Sequence, residues 1–162
     1  MSSLEAAAAR LVTVGFPGRS VGPELERLLD RGVGGVILFS RNVGAPRDVF
    51  ELVRGIKRRA GRPLLLSVDQ EGGPVARLRE GFTRLPPMRA LGKTRDSELA
   101  RAVGRVIAAE LTAVGIDLDF APVLDVDTNP DNPVIGVRAF DSDPDKVAAL
   151  GVALARGLLD GG

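Results

Sequence analysis

Short apolar runs and amphipathic stretches alternate along the whole chain, and this alternation limits the possible folds more than any other feature. Leu11-Val12-Thr13-Val14-Gly15, Val36-Ile37-Leu38-Phe39 and Leu64-Leu65-Leu66-Ser67-Val68 are apolar runs, and Ile116-Asp117-Leu118-Asp119-Phe120 is a shorter one broken by acids. They read as strands buried on both faces, the pattern of a parallel sheet. Helical stretches separate them. Gly22 to Asp30 has Pro23 in its first turn, acids early and Gly32 after its end, which are helix start and stop signals. Ala45-Pro46 to Ala60-Gly61 repeats the design with Val49, Leu52, Val53 and Ile56 at helical spacing. Ser97 to Val114-Gly115 does so through Leu99, Val103, Val106, Ile107 and Leu111, and a last helix is expected from Asp145 to Leu159, followed by Gly161-Gly162. A further short helix is expected within Met1 to Arg10. The order strand-helix, repeated four times, means an α/β fold of right-handed parallel units with helices outside. Two architectures fit it: an open doubly wound sheet, or half of a closed eight-stranded barrel, which needs about 250 residues in full.

Charge and residue usage then remove whole classes of function. Lys and Arg number 22 against 21 Asp and Glu, a net charge of +1, too small to make a phosphate-tracking or membrane-attracted surface. No nucleic-acid partner is expected. The N-terminal segment has no basic leader and carries Glu5 where a signal core would be apolar. Nowhere do about 18 apolar residues run uncharged, so no membrane span is expected and the chain reads as cytoplasmic. It contains no Cys and no His, which rules out a thiolate nucleophile, a Ser/His pair and a histidine base within these residues.

Two long connections follow strands, Gln70 to Thr94 and Ala121 to Pro144, and are expected to lack internal structure. In parallel α/β folds of either kind, ligands bind at the C-terminal strand ends, so these loops mark the active face. Asp69 closes the third apolar run and precedes Gln70-Glu71-Gly72-Gly73-Pro74. A carboxylate there meets a cation, donors or a ligand, or else caps the following turn through its own backbone. The glycine pair lets the backbone lie close to whatever occupies the spot. Arg77 and Arg79 follow, each able to fork onto a carboxylate or sugar hydroxyls. Ser40-Arg41-Asn42 ends the second run in the equivalent position and adds polar contacts. Asp117 and Asp119, two apart, share one side of the fourth strand, and Asp125 and Asp127 lie beyond it. Arg138 is the expected counter-charge for these acids, whether as a structural network or around a ligand. A third reading is a Mg²⁺-type oxygen site built from Asp119, Asp125 and Asp127.

Five stretches of sequence carry a resemblance. Gly34-Gly35-Val36-Ile37-Leu38-Phe39-Ser40-Arg41-Asn42, Val68-Asp69-Gln70-Glu71-Gly72-Gly73-Pro74-Val75-Ala76-Arg77, Phe82-Thr83-Arg84-Leu85-Pro86, Asp119-Phe120-Ala121-Pro122-Val123-Leu124-Asp125-Val126 and Ile135-Gly136-Val137-Arg138-Ala139-Phe140 look like glycoside hydrolase family three, most closely its bacterial β-N-acetylhexosaminidases. The resemblance runs from about residue 11 onward and implies a TIM-type (β/α)8 barrel of which residues 1–162 supply the first four βα units, one incomplete domain. It implies a retaining O-glycosyl hydrolase that removes terminal β-N-acetylglucosamine in muropeptide recycling through a covalent glycosyl-enzyme. A β-glucosidase of the same family, or a non-catalytic saccharide-binding fragment, are the alternatives. The family's sugar-binding Asp matches Asp69 and its sugar-binding arginines match Arg77 and Arg138, with Arg41, Asn42, Asp119 and Asp125 in support. Pro74 stands where these enzymes often carry a basic residue, with Arg77 still in register. The family's His acid/base and Asp nucleophile would fall beyond residue 162, so no catalytic residue is assigned, and neither metal nor cofactor is expected. The expected partners are a saccharide and either the remaining half of the barrel or a second copy covering the open edge.

Overall fold

The computed structural model describes residues 2–161, so Met1 and Gly162, the two ends of the expected span, lie outside the described residues. The chain divides into two compact units, one running to Asp69 with Arg77–Gly81 and Ala113–Asp119, the other made of Gln70–Ala76, Phe82–Thr112 and the residues from Phe120 onward.

The first unit holds α1 (Ser3–Ala9), β1 (Thr13–Val14), α2 (Pro23–Asp30), β2 (Gly35–Leu38), α3 (Pro46–Ala60) and β3 (Leu65–Val68). The strand Leu118–Asp119, here β6, completes its sheet. All pairings are parallel and the order is β1-β2-β3-β6, so that within this sheet the strands follow one another in sequence order. A doubly wound sheet reverses its order at a switch point. This sheet does not, so of the two architectures it is an arc of a (β/α) barrel.

Local chemistry explains the helices. Pro sits at the first turn of both α2 and α3, where its missing N–H costs nothing, and Gly61 ends α3 at φ 61°, a left-handed cap. Val36, Leu38, Leu66 and Val68 share one face of the sheet and are fully buried, as are Val49 and Ile56 of α3 and, nearly, Leu25 and Leu29 of α2. Each such side chain contributes about 2 kcal/mol of burial free energy. The other face is half open. It carries Leu65, 40% exposed, and Leu118, 36% exposed, while Leu11 at 88% lies outside any strand. The expectation of burial on both faces therefore holds for one face only, because α2 and α3 cover that side and β1 is reduced to two residues.

The second unit holds a hairpin of β4 (Gln70–Gly72) and β5 (Val75–Ala76), then α4 (Met88–Thr94), most of α5 (Ser97–Ala113), a single 3₁₀ turn (Gly136–Arg138) and α6 (Pro144–Asp160). Its core joins Met88 and Leu91 of α4, Ala100 of α5, Val147, Leu150 and Leu154 of α6, and Phe140, all buried. The segment from Gln70 to Thr94 is thus structured, against expectation. Among the described residues no helix is long and apolar enough to cross a membrane.

Candidate functional site

In the first unit, one charged cluster forms at the C-terminal ends of the strands. Asp69 follows β3 directly, and Arg77 donates from Nη2 to its Oδ2 at 2.7 Å. Gln70 pairs with Ala76 in the hairpin, so Asp69 and Arg77 are the next residues outward on its two arms. The sequence spacing of eight is the span of that hairpin. Both side chains keep about a quarter of their surface exposed, 22% for Asp69 and 26% for Arg77, so the pair is reachable from solvent. Phe39, at the end of β2, lies beside two guanidinium groups, Arg41 at 4.7 Å and Arg77 at 5.8 Å from the ring centroid. Such contact is favourable because the ring face is electron-rich, and it brings both guanidinium groups to one aromatic side chain.

Asn42 has a different task. Its Nδ2 donates to the carbonyls of Phe16 and Gly18 at 3.0 and 2.7 Å, and its Oδ1 accepts from the Phe39 N–H at 2.9 Å. The residue is 2% exposed. It stitches the loop after β1 to the end of β2, and Arg41 adds a bond from Nε to the same Phe16 carbonyl at 2.9 Å. Asn42 is therefore framework beneath Phe39 and Arg41.

The acids of the fourth strand separate. Asp117 stands at the N-terminal end of β6, away from Asp69, where Lys57 Nζ donates to Oδ1 at 2.7 Å and the Leu66 N–H to Oδ2 at 2.9 Å. It is satisfied structurally. Asp119, two residues on, is half-buried and in register with Val68. Asp125 is exposed, and among the described residues no three acids gather as metal ligands would.

In the second unit a second cluster forms. Glu71, the middle residue of β4 and 6% exposed, accepts from Arg138 Nε at 2.8 Å on Oε2 and from Nη2 at 2.7 Å on Oε1. This is a bidentate fork, the strongest common geometry for an arginine and a carboxylate. Arg138 Nη1 donates as well to the Val134 carbonyl at 3.2 Å. Sequence reasoning named Arg138 as the partner of the acids near residue 120. Arg138 forms an ion pair with Glu71, and Asp127 pairs with Arg89 of α4, which also donates to the Gly136 carbonyl at 3.2 Å. Both Glu71 and Arg89 went unrecognised. The only sequence signal for Glu71 was its parity: in a strand, position 71 points away from the side taken by 70 and 72.

The glycine pair also has a specific reason. Gly72 and Gly73 have φ of 95° and 57°, and a Cβ on Gly73 would lie 2.7 Å from the Pro87 Cα. The backbone does lie close to something, as expected, but that something is the segment before α4, to which the Gly73 N–H is bonded through the Leu85 carbonyl at 3.0 Å. Pro74 occupies the hairpin turn, and Arg77 keeps its register onto Asp69.

The chain is 52% identical over 132 residues to a beta-hexosaminidase of Nitrosomonas eutropha, covering 78% of this chain and 38% of that protein. It is 50% identical over 146 residues to one from Neisseria meningitidis serogroup C, covering 86% and 40%. Among solved structures, a glycoside hydrolase family 3 beta-N-acetylglucosaminidase from Paenibacillus sp. str. FPU-7 superposes with a TM-score of 0.95 at 40% identity, over 99% of this chain and 32% of that one. NagZ from Neisseria gonorrhoeae in complex with N-trifluoroacetyl-D-glucosamine does so with a TM-score of 0.87 at 43% identity, over 93% and 47%. The chain thus spans about two fifths of the length of the curated relatives it matches. With residues 3–162 matching the model described as the glycosyl hydrolase family 3 N terminal domain, the chain belongs to glycosyl hydrolase family 3.

Proposed function

We propose that residues 1–162 form the N-terminal half of a barrel domain whose whole is a retaining β-N-acetylhexosaminidase, and that this half binds the sugar preceding the scissile bond. The observation that carries the reading is the solvent-reachable Asp69–Arg77 pair at the strand ends, in a chain about half identical to beta-hexosaminidases. Asp69 is the hydroxyl acceptor. An ionised carboxylate offers two oxygens and several lone pairs, enough to take protons from two neighbouring hydroxyls while its other side stays against Arg77. Arg77 donates to a ring or hydroxyl oxygen from the nitrogens that do not face Asp69, and Arg138 is the second donor. These contacts hold the sugar in place; the proton transfer and the nucleophilic attack belong to groups outside these residues. Muropeptide recycling in the cytoplasm is the setting that fits an N-acetylglucosamine-releasing member of the family. The half-open sheet face with Leu65 and Leu118 is where the rest of the barrel, or a second copy, packs.

The test is a saccharide panel on the protein as the cell makes it. N-acetylglucosaminides are hydrolysed with higher kcat/KM than glucosides, and Asp69→Asn lowers saccharide affinity at least about tenfold, the loss of a charge-assisted hydrogen bond. Preference for glucosides, or an Asp69→Asn variant with undiminished affinity, defeats the proposal.

A further inference from the structure

We infer that Glu71 is a positioning residue for sugar binding, acting through Arg138 rather than on the ligand. This rests on the assignment of Arg138 as a sugar donor made above. Glu71 is almost wholly buried at 6% exposure, and its two oxygens take the Nε and Nη2 protons of one guanidinium edge at 2.8 and 2.7 Å. Nη1 donates as well to the Val134 carbonyl at 3.2 Å. Together these bonds fix the plane of the group and the directions in which its N–H bonds point.

Both ends of the Arg138 side chain are held. Glu71 sits in β4, whose turn is anchored by the Gly73 N–H on the Leu85 carbonyl at 3.0 Å. The turn carrying Arg138 is held by Arg89, which bonds the Gly136 carbonyl at 3.2 Å and pairs with Asp127. Stability alone is a poor reason for the arrangement, since a buried ion pair is often no better than an apolar pair of the same volume. Orientation is a good reason. A flexible arginine loses side-chain entropy when it closes on a sugar, and a guanidinium already clamped along one edge has lost it beforehand.

The experiment combines saccharide titration with ¹⁵N NMR of the arginine Nε–H groups, on the protein as the cell makes it. Glu71→Gln presents an amide N–H₂ to a guanidinium N–H, donor against donor, and so opens the fork while keeping the size of the side chain. The Arg138 Nε–H signal then loses its protection from exchange, and N-acetylglucosamine affinity falls about tenfold, as does the reciprocal of KM, with kcat changed less. Glu71→Asp keeps the charge but is too short to span both nitrogens. It falls between the parent and Glu71→Gln, and it serves where the latter folds poorly. In an Arg138→Ala background, Glu71→Gln causes no further loss of affinity. An unchanged Nε–H signal and affinity in Glu71→Gln, or losses that add across the double variant, overturn the inference. An Arg138→Ala variant that binds as well as the parent overturns the sugar-donor assignment instead, and with it the purpose of the clasp, while the Nε–H signal still reports whether Glu71 holds the arginine.

Discussion

The segment from Gln70 to Thr94 and the segment from Phe120 to Asp143 both leave strands of the parallel sheet, yet they are ordered by different means. The first is built on backbone bonds: a hairpin, a glycine turn docked on Leu85 and Pro87, and the helix α4. The second has one 3₁₀ turn and relies on side chains. Asn132 Oδ1 takes the N–H groups of Val134 and Ile135 at 2.9 and 3.2 Å, Arg89 and Glu71 hold it by charge, and Phe140 plugs it into the core. A segment pinned at a few points by side chains opens more readily than one with a continuous backbone ladder. Each pin is then a place to separate the two.

The largest effect is expected at Phe140, which is fully buried against α4 and α6. Phe140→Ala costs about 3 kcal/mol or more through lost burial and the cavity left behind, read as a fall in the denaturation midpoint. Limited proteolysis followed by mass spectrometry should find new cleavage between residues 120 and 143 before any in the hairpin. Cleavage appearing first in the hairpin would erase the distinction drawn here. Gly73→Ala tests the other segment. The left-handed φ of 57° and the 2.7 Å approach to Pro87 together cost about 2 kcal/mol, and amide exchange should speed up in residues 70–76 with 120–143 unchanged. Uniform loss of protection across both would contradict this.

Arg89→Met removes a pin while keeping most of the apolar stem. Asp127, its side chain only 14% exposed, then loses its cation, at a cost of about 1–2 kcal/mol. Saccharide affinity should weaken with it, because the backbone bearing Arg138 is released. A variant equal to the parent in both would remove Arg89 from the account. The smallest effect is at Asp141, whose pKa is held below the ordinary carboxylate value, first by the Asp143 N–H and then by Lys146 and the Ser142 N–H. A lowered folded-state pKa stabilises the protein above the unfolded value, and that stabilisation disappears as pH falls through the lowered one. Asp141→Asn should therefore melt slightly below the parent at neutral pH and level with it in strong acid. A gap that persists in acid would mean the carboxylate's charge is not the cause.

The sequence was legible wherever structure is decided within a few residues. Helices α2, α3, α5 and α6 begin and end within a residue or two of where Pro23, Pro46, Ser97 and their terminal glycines placed them. Asp69 could be singled out because a strand end is a local matter, and Arg77 because the family motif covers it; the hairpin between them was not expected. Helix α4 was not legible: it is seven residues long, contains Gly92 and offers only Met88 and Leu91 as an apolar face.

What tertiary structure alone decided is which charge meets which. Period two predicts one shared side for Asp117 and Asp119, and the structure ties Asp117 to Lys57, 60 residues away in sequence. Arg138 meets Glu71 across 67 residues of sequence. Periodicity, capping and turn chemistry act over one turn of helix or one hairpin, so the chain spells them out. The choice of an ion partner depends on which side chains the packed elements bring within about 4 Å of each other, and no short-range pattern encodes that distance.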